Sequence, residues 1–300
     1  MIYQKTIKDP IAFTGIALHT GRRVKMELRP AATNSGITFI REDLDGARIP
    51  ARPEHFSTTV YATSISNNGA SVQTVEHFMA ALHCLGIDNI EVAIDGPELP
   101  IMDGSAAPFI YMLHEAGARA QTRLRKVLKV LKPVKISGDG KGIAIYPSDS
   151  FRITYTIEFE HPLLRRQSRS LIISEETFCE EIAPARTFGF LKDVEMLRRN
   201  GLALGGSLEN AIVIGENRIL NHNLRFPDEF VRHKILDALG DLAFLGPSIQ
   251  GHVVAQRAGH QLHIALVNAL LDNKDAYEIA KARVPAADAL PELGLAEQYS

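Results

Sequence analysis

The sequence predicts an α+β protein that is built from two similar domains. Its 300 residues are too many for one ordinary hydrophobic core, so we expect two domains. Each half of the chain begins with strand-like segments and then follows the order helix, strand, helix. A helix motif occurs in both halves, as VEHFMAALHCLG and as VRHKILDALGDLAFLG, and each time a histidine is the third residue from the opening valine. Such a duplication would bring two equivalent helices, and their histidines, to one interface.

Strand-like patterns in the first half occur in IAFTGIALH, VKMELRPA and GITFIRE, which are separated by Gly, Pro and Asn. A helical pattern follows in SVQTVEHFMAALHCLG and ends at Gly86, because glycine commonly caps the C-terminal end of a helix. The next segment, DNIEVAID, predicts a strand, and PIMDGSAAPFIYMLHEAG predicts a turn that leads into a second helix. We place the domain boundary in the charged segment RLRKVLK, so the N-terminal domain covers residues 1–125.

The second half, residues 126–300, repeats this order with one insertion. Strands are predicted in VLKPVKI, GIAIYPS and FRITYTIEFEH. A less regular segment at 186–218 then combines a short helix, a pair of glycines and a strand. The helix that contains VRHKILDALGDLAF ends near Gly246, and GHVVAQRAGHQLHIALVNALL predicts a strand followed by a further helix.

The composition is that of a soluble globular chain, with 45% apolar and 23% charged residues. A net charge of -2 argues against a general nucleic-acid binder. No segment approaches the ~20 apolar residues needed to span a bilayer, and the N-terminus lacks the pattern of a signal peptide. Cys84 and Cys179 are far apart without CxxC spacing, which fits a reducing compartment. We therefore expect a cytoplasmic protein without an integral membrane segment or a nucleic-acid partner, and we take it to be a monomer.

One face of the helix at residues 231–244 carries His233, Asp237 and Asp241, which are spaced by four residues. At about 100° per residue they fall within an arc of roughly 80°. The solvated face of an amphipathic surface helix shows the same pattern, so that interpretation stays open. The alternative is a metal site. Zinc uses three protein ligands in catalytic sites and keeps a fourth position for water.

His77 is the best-placed candidate to complete such a ligand set with His233 and Asp237, because it lies in the equivalent helix of the first half. A lone histidine in an apolar helix is, however, more often a satisfied core residue. The neighbouring Glu76 could accept a proton from a zinc-activated water. Asp241, one turn further along, need not bind the metal and could instead orient a separate histidine that acts as an acid.

His260 is the first candidate for this acid, because it follows a glycine at a strand-to-helix turn. His252 and His263 compete with it on sequence alone. His19, beside another turn, could contact an anionic substrate. Other chemistries fit less well. The HExxH motif of metalloproteases is absent, the segment GGS lacks the GxSxG elbow, and GDGKG fits a hairpin turn between two strands.

Five motifs carry a resemblance to a known family: TVEHFMAAL, PIMDGSAAPF, ARTFGF, LALGGSLENAIV and EFVRHKILDALGDL. Together with the pair Gly259-His260, they closely resemble the zinc-dependent UDP-3-O-acyl-N-acetylglucosamine deacetylases of lipid A biosynthesis. The resemblance runs from about residue 2 to 272 with nearly constant spacing. It implies two α+β domains, each a layer of helices on a mostly antiparallel sheet, with the active site between them. The implied reaction removes the N-acetyl group of a UDP-linked, 3-O-acylated amino sugar, which releases acetate and commits the sugar to lipid A.

The resemblance also implies roles for individual residues. Positions His77, His233 and Asp237 match the ligands of Zn²⁺. Glu76 matches the general base, and His260 matches the general acid with support from Asp241. Thr187 matches a residue that holds the oxyanion. The implied substrate contacts are Lys234 and Phe188, with Lys141, Glu158, Phe159 and Arg257 on the nucleotide side. Phe159 could stack on uracil, although the alternation of its strand equally permits a core position.

Two further features follow from the resemblance. The segment after ARTFGF, through Leu202 and Leu204, resembles the part that forms an apolar passage for the acyl chain, with ordinary core packing as the alternative. Family members often continue after the Gly-His pair with Ala-Leu-Asn-Asn, whereas this chain has Gln-Leu-His-Ile at 261–264. His263 could therefore be a neighbour that perturbs the pKa of His260.

Three other functions remain open at this point. A zinc amidohydrolase for another acylated amino sugar would use the same residues. A non-catalytic protein with a structural metal would need four protein ligands, of which we can nominate three. The third is a metal-free acyl-binding module.

Overall fold

The structure is a computed structural model, and it describes residues 1–282 of the chain. The α-helices of this part are α1 (Glu76–Leu85), α2 (Ala107–Ala116), α3 (Glu175–Thr177), α4 (Leu191–Arg199), α5 (Glu229–Leu242) and α6 (His260–Asp272). The strands are β1 (Tyr3–Ile7), β2 (Ile11–Ile16), β3 (Arg23–Pro30), β4 (Ile37–Arg41), β5 (Ala47–Pro50), β6 (Phe56–Thr58), β7 (Ser64–Asn67), β8 (Ala70–Gln73), β9 (Ile90–Ile94), β10 (Ala118–Leu124), β11 (Lys126–Val130), β12 (Val134–Gly138), β13 (Lys141–Tyr146), β14 (Phe151–Glu158), β15 (Arg166–Ile172), β16 (Phe188–Phe190), β17 (Ile212–Ile214), β18 (Ser248–Gln256) and β19 (Tyr277–Lys281).

Two sheets share one topology. In the first half the strand order is β2-β3-β9-β4-β5, and in the second half β12, β13, β18, β14 and β15 pair in the same succession. The directions also match, because β9 and β18 each run antiparallel to one neighbour and parallel to the other. In each half a helix precedes this central strand and another follows it. The predicted α+β class with two similar, mostly antiparallel units is therefore confirmed.

Four helices, α1, α2, α5 and α6, pack against one another and against the two sheets. Phe13 of β2 contacts Phe109 of α2, and Phe109 in turn contacts Phe78 of α1, with ring centroids 6.3 and 5.3 Å apart. Along its length α1 packs against α5, and α5 packs against β14 and β15 of the second sheet. The buried apolar side chains of both halves form one continuous cluster. Because the core crosses from one half to the other, α1 and α5 are fixed relative to each other.

Helix α1 begins later than its sequence pattern predicts. The segment Ala70–Gln73 forms β8, which pairs with β7, and Thr74 has a left-handed φ of 58°. The alternation of buried and half-buried residues in β8 suits a strand with one face on the core. Helix α1 therefore starts at Glu76, and it ends at Gly86, as predicted, with φ 71°. The late start puts Glu76 and His77 in its first turn.

The strand pairing changes between Leu124 and Lys126. Strand β10 pairs with β1, whereas β11 joins β18 and β19 of the second sheet. This is where the sequence placed the boundary between 1–125 and 126–300, and the division itself stays a prediction. The end of the second predicted domain, residues 283–300, lies outside the described residues. Across residues 1–282, none of the helices has both the length and the apolar character that crossing a bilayer requires.

Candidate metal and catalytic site

Helices α1 and α5 touch through their backbones at Gly240. A Cβ atom at this position would lie 2.6 Å from the carbonyl carbon of Glu76 and 2.9 Å from its Cα, which leaves no space for a side chain. Glycine inside a helix costs roughly 0.5–1 kcal/mol relative to alanine. The close approach explains its presence, because it brings the first turn of α1 against the polar face of α5.

The polar face of α5 is buried. His233 and Asp237 are each 2% exposed and Asp241 is 0% exposed. The interpretation of this face as a solvated helix surface is therefore wrong. Sequence periodicity could not decide the question, because α1 of the other half covers this face.

His77, His233 and Asp237 converge at the crossing. Nε2 of His233 lies 3.2 Å from Oδ1 of Asp237, and Nε2 of His77 lies 3.5 Å from the same oxygen. The two imidazole rings are nearly perpendicular, with centroids 4.9 Å apart. One ligand atom from each of the three residues lies within 4.8 Å of the other two. Three electron-pair donors thus face one point.

Neighbouring groups orient the His233 ring and the Asp237 carboxylate. Nδ1 of His233 lies 3.1 Å from the backbone oxygen of Ala185. Because a carbonyl oxygen only accepts, Nδ1 carries the hydrogen and Nε2 presents its lone pair to the site. Lys234 donates from Nζ to Oδ2 of Asp237 at 2.7 Å. Burial opposes the charged carboxylate, but His233 and Lys234 hold the pKa of Asp237 well below its usual range.

This arrangement fits a divalent metal ion. Two imidazole nitrogens and one carboxylate oxygen are ligands that zinc accepts, and three protein ligands leave a position open. Lys234 contacts only Oδ2 of Asp237, and Oδ1 of the same carboxylate faces the two histidines. Glu76 and Asp237 are 3% and 2% exposed. The described residues therefore contain a group that could hold a metal.

A cavity of about 230 Å³ opens beside this group. It brings together residues from both halves of the chain. Its walls include Leu18, His19, Tyr61, Glu76, His77, Thr187, Phe188, His233, Lys234, Asp237 and His260. Most of the residues predicted from the sequence meet here. They are the three candidate metal ligands, the candidate general base Glu76, the candidate general acid His260, the oxyanion candidate Thr187 and three predicted substrate contacts. Asp241 lies behind His260.

Glu76 is oriented by a backbone donor. The amide of Thr63 donates to Oε2 of Glu76 at 3.1 Å. Burial raises the pKa of the Glu76 carboxyl, although the neighbouring His260 and His77 oppose this shift. A carboxylate with a raised pKa is a better proton acceptor, which suits a general base.

His260 and Asp241 form a close pair. Nδ1 of His260 lies 2.7 Å from Oδ2 of Asp241, and the hydroxyl of Thr63 donates to Oδ1 of the same carboxylate at 2.5 Å. Burial disfavours the imidazolium, but the charge of Asp241 and its hydrogen bond outweigh burial and raise the pKa of His260 to about 9. Nε2 of His260 lies 3.9 Å from Oδ2 of Asp237, so this nitrogen points toward the cluster of His77, His233 and Asp237. A protonated His260 can therefore donate toward that point.

The competing histidines lie elsewhere. His252 contacts Thr154 on the second sheet, with 2.9 Å between Nε2 and Oγ1, and does not line the cavity. His263 is 0% exposed and does not line the cavity, and its ring centroid lies 5.9 Å from that of His260. It is a neighbour of His260, as its place in the sequence suggested.

Thr187 and His19 both line the cavity. The Thr187 amide donates to the oxygen of Gly104 at 2.8 Å, which ties the ARTFGF motif to PIMDGSAAPF.

His19 is 7% exposed, and within residues 1–282 its two ring nitrogens contact no hydrogen-bonding partner. The backbone of His19 is held by the buried Glu98, which accepts from the amides of His19 and Thr20 at 2.8 and 2.9 Å. Sequence reasoning missed Glu98 and Thr63, because neither belongs to a motif with a known chemical pattern.

A larger apolar cavity of about 500 Å³ adjoins the polar one. It is bounded by β16, α4 and β17, and it shares Leu18, His19, Tyr61, Thr187, Phe188 and Lys234 with the polar cavity. Its further lining includes Phe159, Phe190, Val194, Leu197, Ala203, Leu208, Ala211, Val213 and Leu220. The segment after ARTFGF does form its wall. An elongated apolar chain attached to a ligand in the polar cavity could lie here.

The two leucines at the end of this segment lie outside the cavity lining. Neither Leu202 nor Leu204 is part of its lining. The Leu204 amide donates to the oxygen of His19 at 3.1 Å, so this stretch is held against the β2–β3 connection. The Leu204 side chain is 53% exposed as a result.

The predicted nucleotide contacts divide into two groups. Phe159 packs edge-on against Phe188 and Phe190, with ring centroids 6.0 and 5.6 Å away, and lines the apolar cavity. The other three residues, Lys141, Glu158 and Arg257, are exposed near the ends of β13, β14 and β18. These strands are neighbours, and none of the three residues lines either cavity.

Comparison with known proteins places the chain in a family. Residues 4–272 match the family model described as LpxC: UDP-3-O-acyl N-acetylglycosamine deacetylase. A UDP-3-O-acyl-N-acetylglucosamine deacetylase of Syntrophotalea carbinolica is 50% identical over 94% of this chain and 92% of its own length. The proteins of the same name from a Geobacter species and from Myxococcus xanthus are each 48% identical. They cover 99% and 93% of this chain, and 98% and 90% of their own lengths. The chain therefore belongs to the UDP-3-O-acyl-N-acetylglucosamine deacetylase family.

Proposed function

We propose that this chain is a metal-dependent hydrolase that removes the N-acetyl group from UDP-3-O-acyl-N-acetylglucosamine. The products are acetate and UDP-3-O-acyl-glucosamine, and the reaction is the committed step of lipid A biosynthesis. The observation that carries the proposal is the buried convergence of His77, His233 and Asp237 beside Glu76 and His260. Membership of the deacetylase family supports it independently.

The metal we propose is Zn²⁺, held by His77, His233 and Asp237. When bound, it supplies Lewis acidity to the acetamide carbonyl and to the attacking water. The lone pair that His233 presents at Nε2 and the ionised state of Asp237 support this assignment. Because the ligands come from both halves, neither half could hold the ion in this way alone.

Glu76 acts as the general base in this scheme. Its carboxylate accepts a proton from the water that attacks the acetamide carbon. The Thr63 amide donates to Oε2, which leaves Oε1 free to face the cavity. A pKa raised by burial supports this role, since a base works best when its pKa approaches the working pH.

His260 acts as the general acid. In its protonated form it donates from Nε2 to the amine that leaves when the carbon–nitrogen bond breaks. Asp241 accepts from Nδ1 of His260, and this contact fixes the ring and favours the imidazolium form. Thr187 and Lys234 also line the cavity, and we assign them to the developing oxyanion and to the substrate, respectively.

The two adjoining cavities match the two parts of the substrate. We place the acetamido sugar in the polar cavity, near His19 and Phe188, and the 3-O-acyl chain in the apolar one. Lys141, Glu158 and Arg257 stay our candidates for the nucleotide. We place Phe159 in the wall of the apolar cavity, next to the nucleotide, because its ring contacts Phe188 and Phe190.

We further propose that the protein works as a cytoplasmic monomer of two domains, 1–125 and 126–300. Every residue in the scheme belongs to one chain, so the proposed site needs no residue of a second subunit. Cys84 and Cys179 are both free, which suits a reducing compartment. The change of strand pairing after Leu124 supports the division.

Two alanine variants test the scheme. Asp237→Ala should lose bound metal and acetate release together, because it removes a ligand. His260→Ala should keep the metal and lower kcat by ~10²–10⁴, the usual contribution of a proton-transfer residue. The measurements are zinc content by elemental analysis and acetate release from the UDP-linked acyl sugar, with and without chelator. Normal zinc content and near-normal rates in both variants would reject the assignment.

The same assay separates the remaining alternatives. A zinc amidohydrolase for another acylated amino sugar would release acetate faster from that sugar than from the UDP-linked one. An acyl-binding module or a non-catalytic protein with a structural metal would release no acetate.

A further inference from the structure

A chain of hydrogen bonds runs behind His260, on the side away from the cavity. Nδ1 of His263 lies 2.8 Å from Oδ2 of Asp241, the same oxygen that His260 contacts at 2.7 Å. Nε2 of His263 lies 2.9 Å from the hydroxyl oxygen of Tyr155. Tyr155, His263 and Asp241 are each 0% exposed. Neither Tyr155 nor His263 lines the polar cavity, so neither can touch the substrate there.

The direction of these hydrogen bonds follows from the atoms involved. The Asp241 carboxylate is an acceptor, so Nδ1 of His263 carries the hydrogen that it donates. The second ring nitrogen, Nε2, then accepts from the Tyr155 hydroxyl. This hydroxyl also lies 2.9 Å from the oxygen of Ala258, so its single proton is shared between two acceptors. Tyr155 therefore contacts both His263 and the backbone that leads into His260.

Asp241 is thereby held from three directions. The hydroxyl of Thr63 donates to Oδ1, while His260 and His263 both donate to Oδ2. Without His263, one of the two donors to Oδ2 is lost and the carboxylate can turn about its terminal bond. The orientation of His260 depends on that carboxylate, since Asp241 is its charged partner.

We propose that His263 and Tyr155 are a positioning pair, which holds the Asp241 carboxylate so that His260 points its Nε2 into the active site. The inference rests on the proposed role of His260 as the general acid. It assigns this chain a positioning residue at 263 and a second one, Tyr155, on β14 of the second sheet. The proton of His263 does not move during the reaction, and the substrate never contacts either side chain.

Variants of both residues test the proposal. His263→Leu introduces an apolar side chain of comparable size and removes the Nδ1 donor to Asp241. His263→Asn places an amide nitrogen near the position of Nδ1 and so keeps donation to Asp241. Tyr155→Phe removes only the hydroxyl. His252→Leu is the matched control, since it makes the same substitution in β18 away from both cavities.

Each variant is made in the wild-type chain and in a His260→Ala chain. Acetate release from the UDP-linked acyl sugar gives kcat and KM, and elemental analysis gives the zinc content. In the wild-type background we expect His263→Leu to lower kcat about tenfold or more, because a hydrogen bond to a charged group is lost. KM and zinc content should stay within about twofold. His263→Asn should recover most of the loss, and Tyr155→Phe should lower kcat about threefold.

The His260→Ala background distinguishes positioning from a general packing role. If His263 acts through His260, then His263→Leu should change the remaining rate by less than about twofold there. An equal loss in both backgrounds, or a loss that His263→Asn does not rescue, would overturn the proposal. Should His263→Leu fail to fold, the comparison of Tyr155→Phe in the two backgrounds decides in the same way. A wild-type chain without acetate release would instead reject the proposed function.

Discussion

Replacement of Gly240 by alanine should affect the active site more than the stability of the protein. The added Cβ would lie 2.6 Å from the carbonyl carbon and 2.9 Å from the Cα of Glu76. Carbon atoms in contact are normally about 3.5–4.0 Å apart, so α1 and α5 must separate by roughly 1 Å. Glu76 begins α1 and His77 follows it, whereas His233 and Asp237 lie on α5. The separation therefore acts directly on the three proposed metal ligands, His77, His233 and Asp237.

Two opposing terms set the stability change. Overpacking of a close contact costs typically about 1–3 kcal/mol. Alanine in place of glycine inside a helix stabilises the folded state by about 0.5–1 kcal/mol. The expected net loss is about 1–2 kcal/mol, which corresponds to a decrease in Tm of roughly 2–8 °C for a chain of this size. The effect on catalysis is larger, because a displacement of about 1 Å at a reacting group can cost about 100-fold in rate.

The assay compares thermal unfolding, zinc content and kcat/KM for Gly240→Ala and for a control. Gly138→Ala is that control, since its added Cβ meets no atom within 4 Å and the residue is exposed. The control should stay within about 0.5 kcal/mol of the wild type and keep its activity. A Gly240→Ala protein with normal zinc affinity and normal kcat/KM would refute the idea that this contact sets the ligand geometry.

Two further predictions concern other parts of the molecule. Burial, together with the charge of Arg125, lowers the pKa of His83 to about 3. As the pH falls through about 6.5, His83 therefore becomes protonated in the unfolded chain but stays neutral in the folded chain. His83 alone should then contribute a fall of roughly 1 kcal/mol in the free energy of unfolding between pH 6.5 and 5.5, and urea titrations should find the total decrease smaller by about this amount in His83→Gln. Ala211→Phe should fill part of the apolar cavity and exclude about two methylenes of a long acyl chain, at ~0.8 kcal/mol each. Relative kcat/KM for long over short acyl chains should drop about tenfold, and an unchanged chain-length preference would contradict our placement of the acyl group.

Much of the fold could be predicted because its signals are local. The helical period of residues 76–85 and 229–242, the glycine cap at Gly86 and the alternation in β14 each depend on a few neighbouring residues. The start of α1 could not be predicted in this way. Residues 71–73 have side chains that also fit a helix, and only the pairing of β8 with β7 makes them a strand.

The chemistry of the site was predictable from residue types, but its supporting contacts were not. Thr63 holds Asp241 across 178 residues of sequence, and Glu98 holds the backbone of His19 across 79. A threonine or a glutamate has no local pattern that indicates such a partner. Gly240 is a different case, because a glycine inside an otherwise good helix was visible in the sequence. Its meaning depends on which backbone lies opposite, and that is a property of the fold.

The duplicated topology explains why the site lies where it does and why it is asymmetric. Helix α1 and helix α5 occupy equivalent places before β9 and β18, so their histidines His77 and His233 meet at the interface. Only α5 carries carboxylates on the turns that follow, since the corresponding turns of α1 are apolar and pack into the core. The ligands are oriented by contacts within the protein, such as that between His233 and the Ala185 oxygen. A site oriented in this way would be organised before the proposed metal binds, so the ion would not need to supply the energy to assemble the two halves.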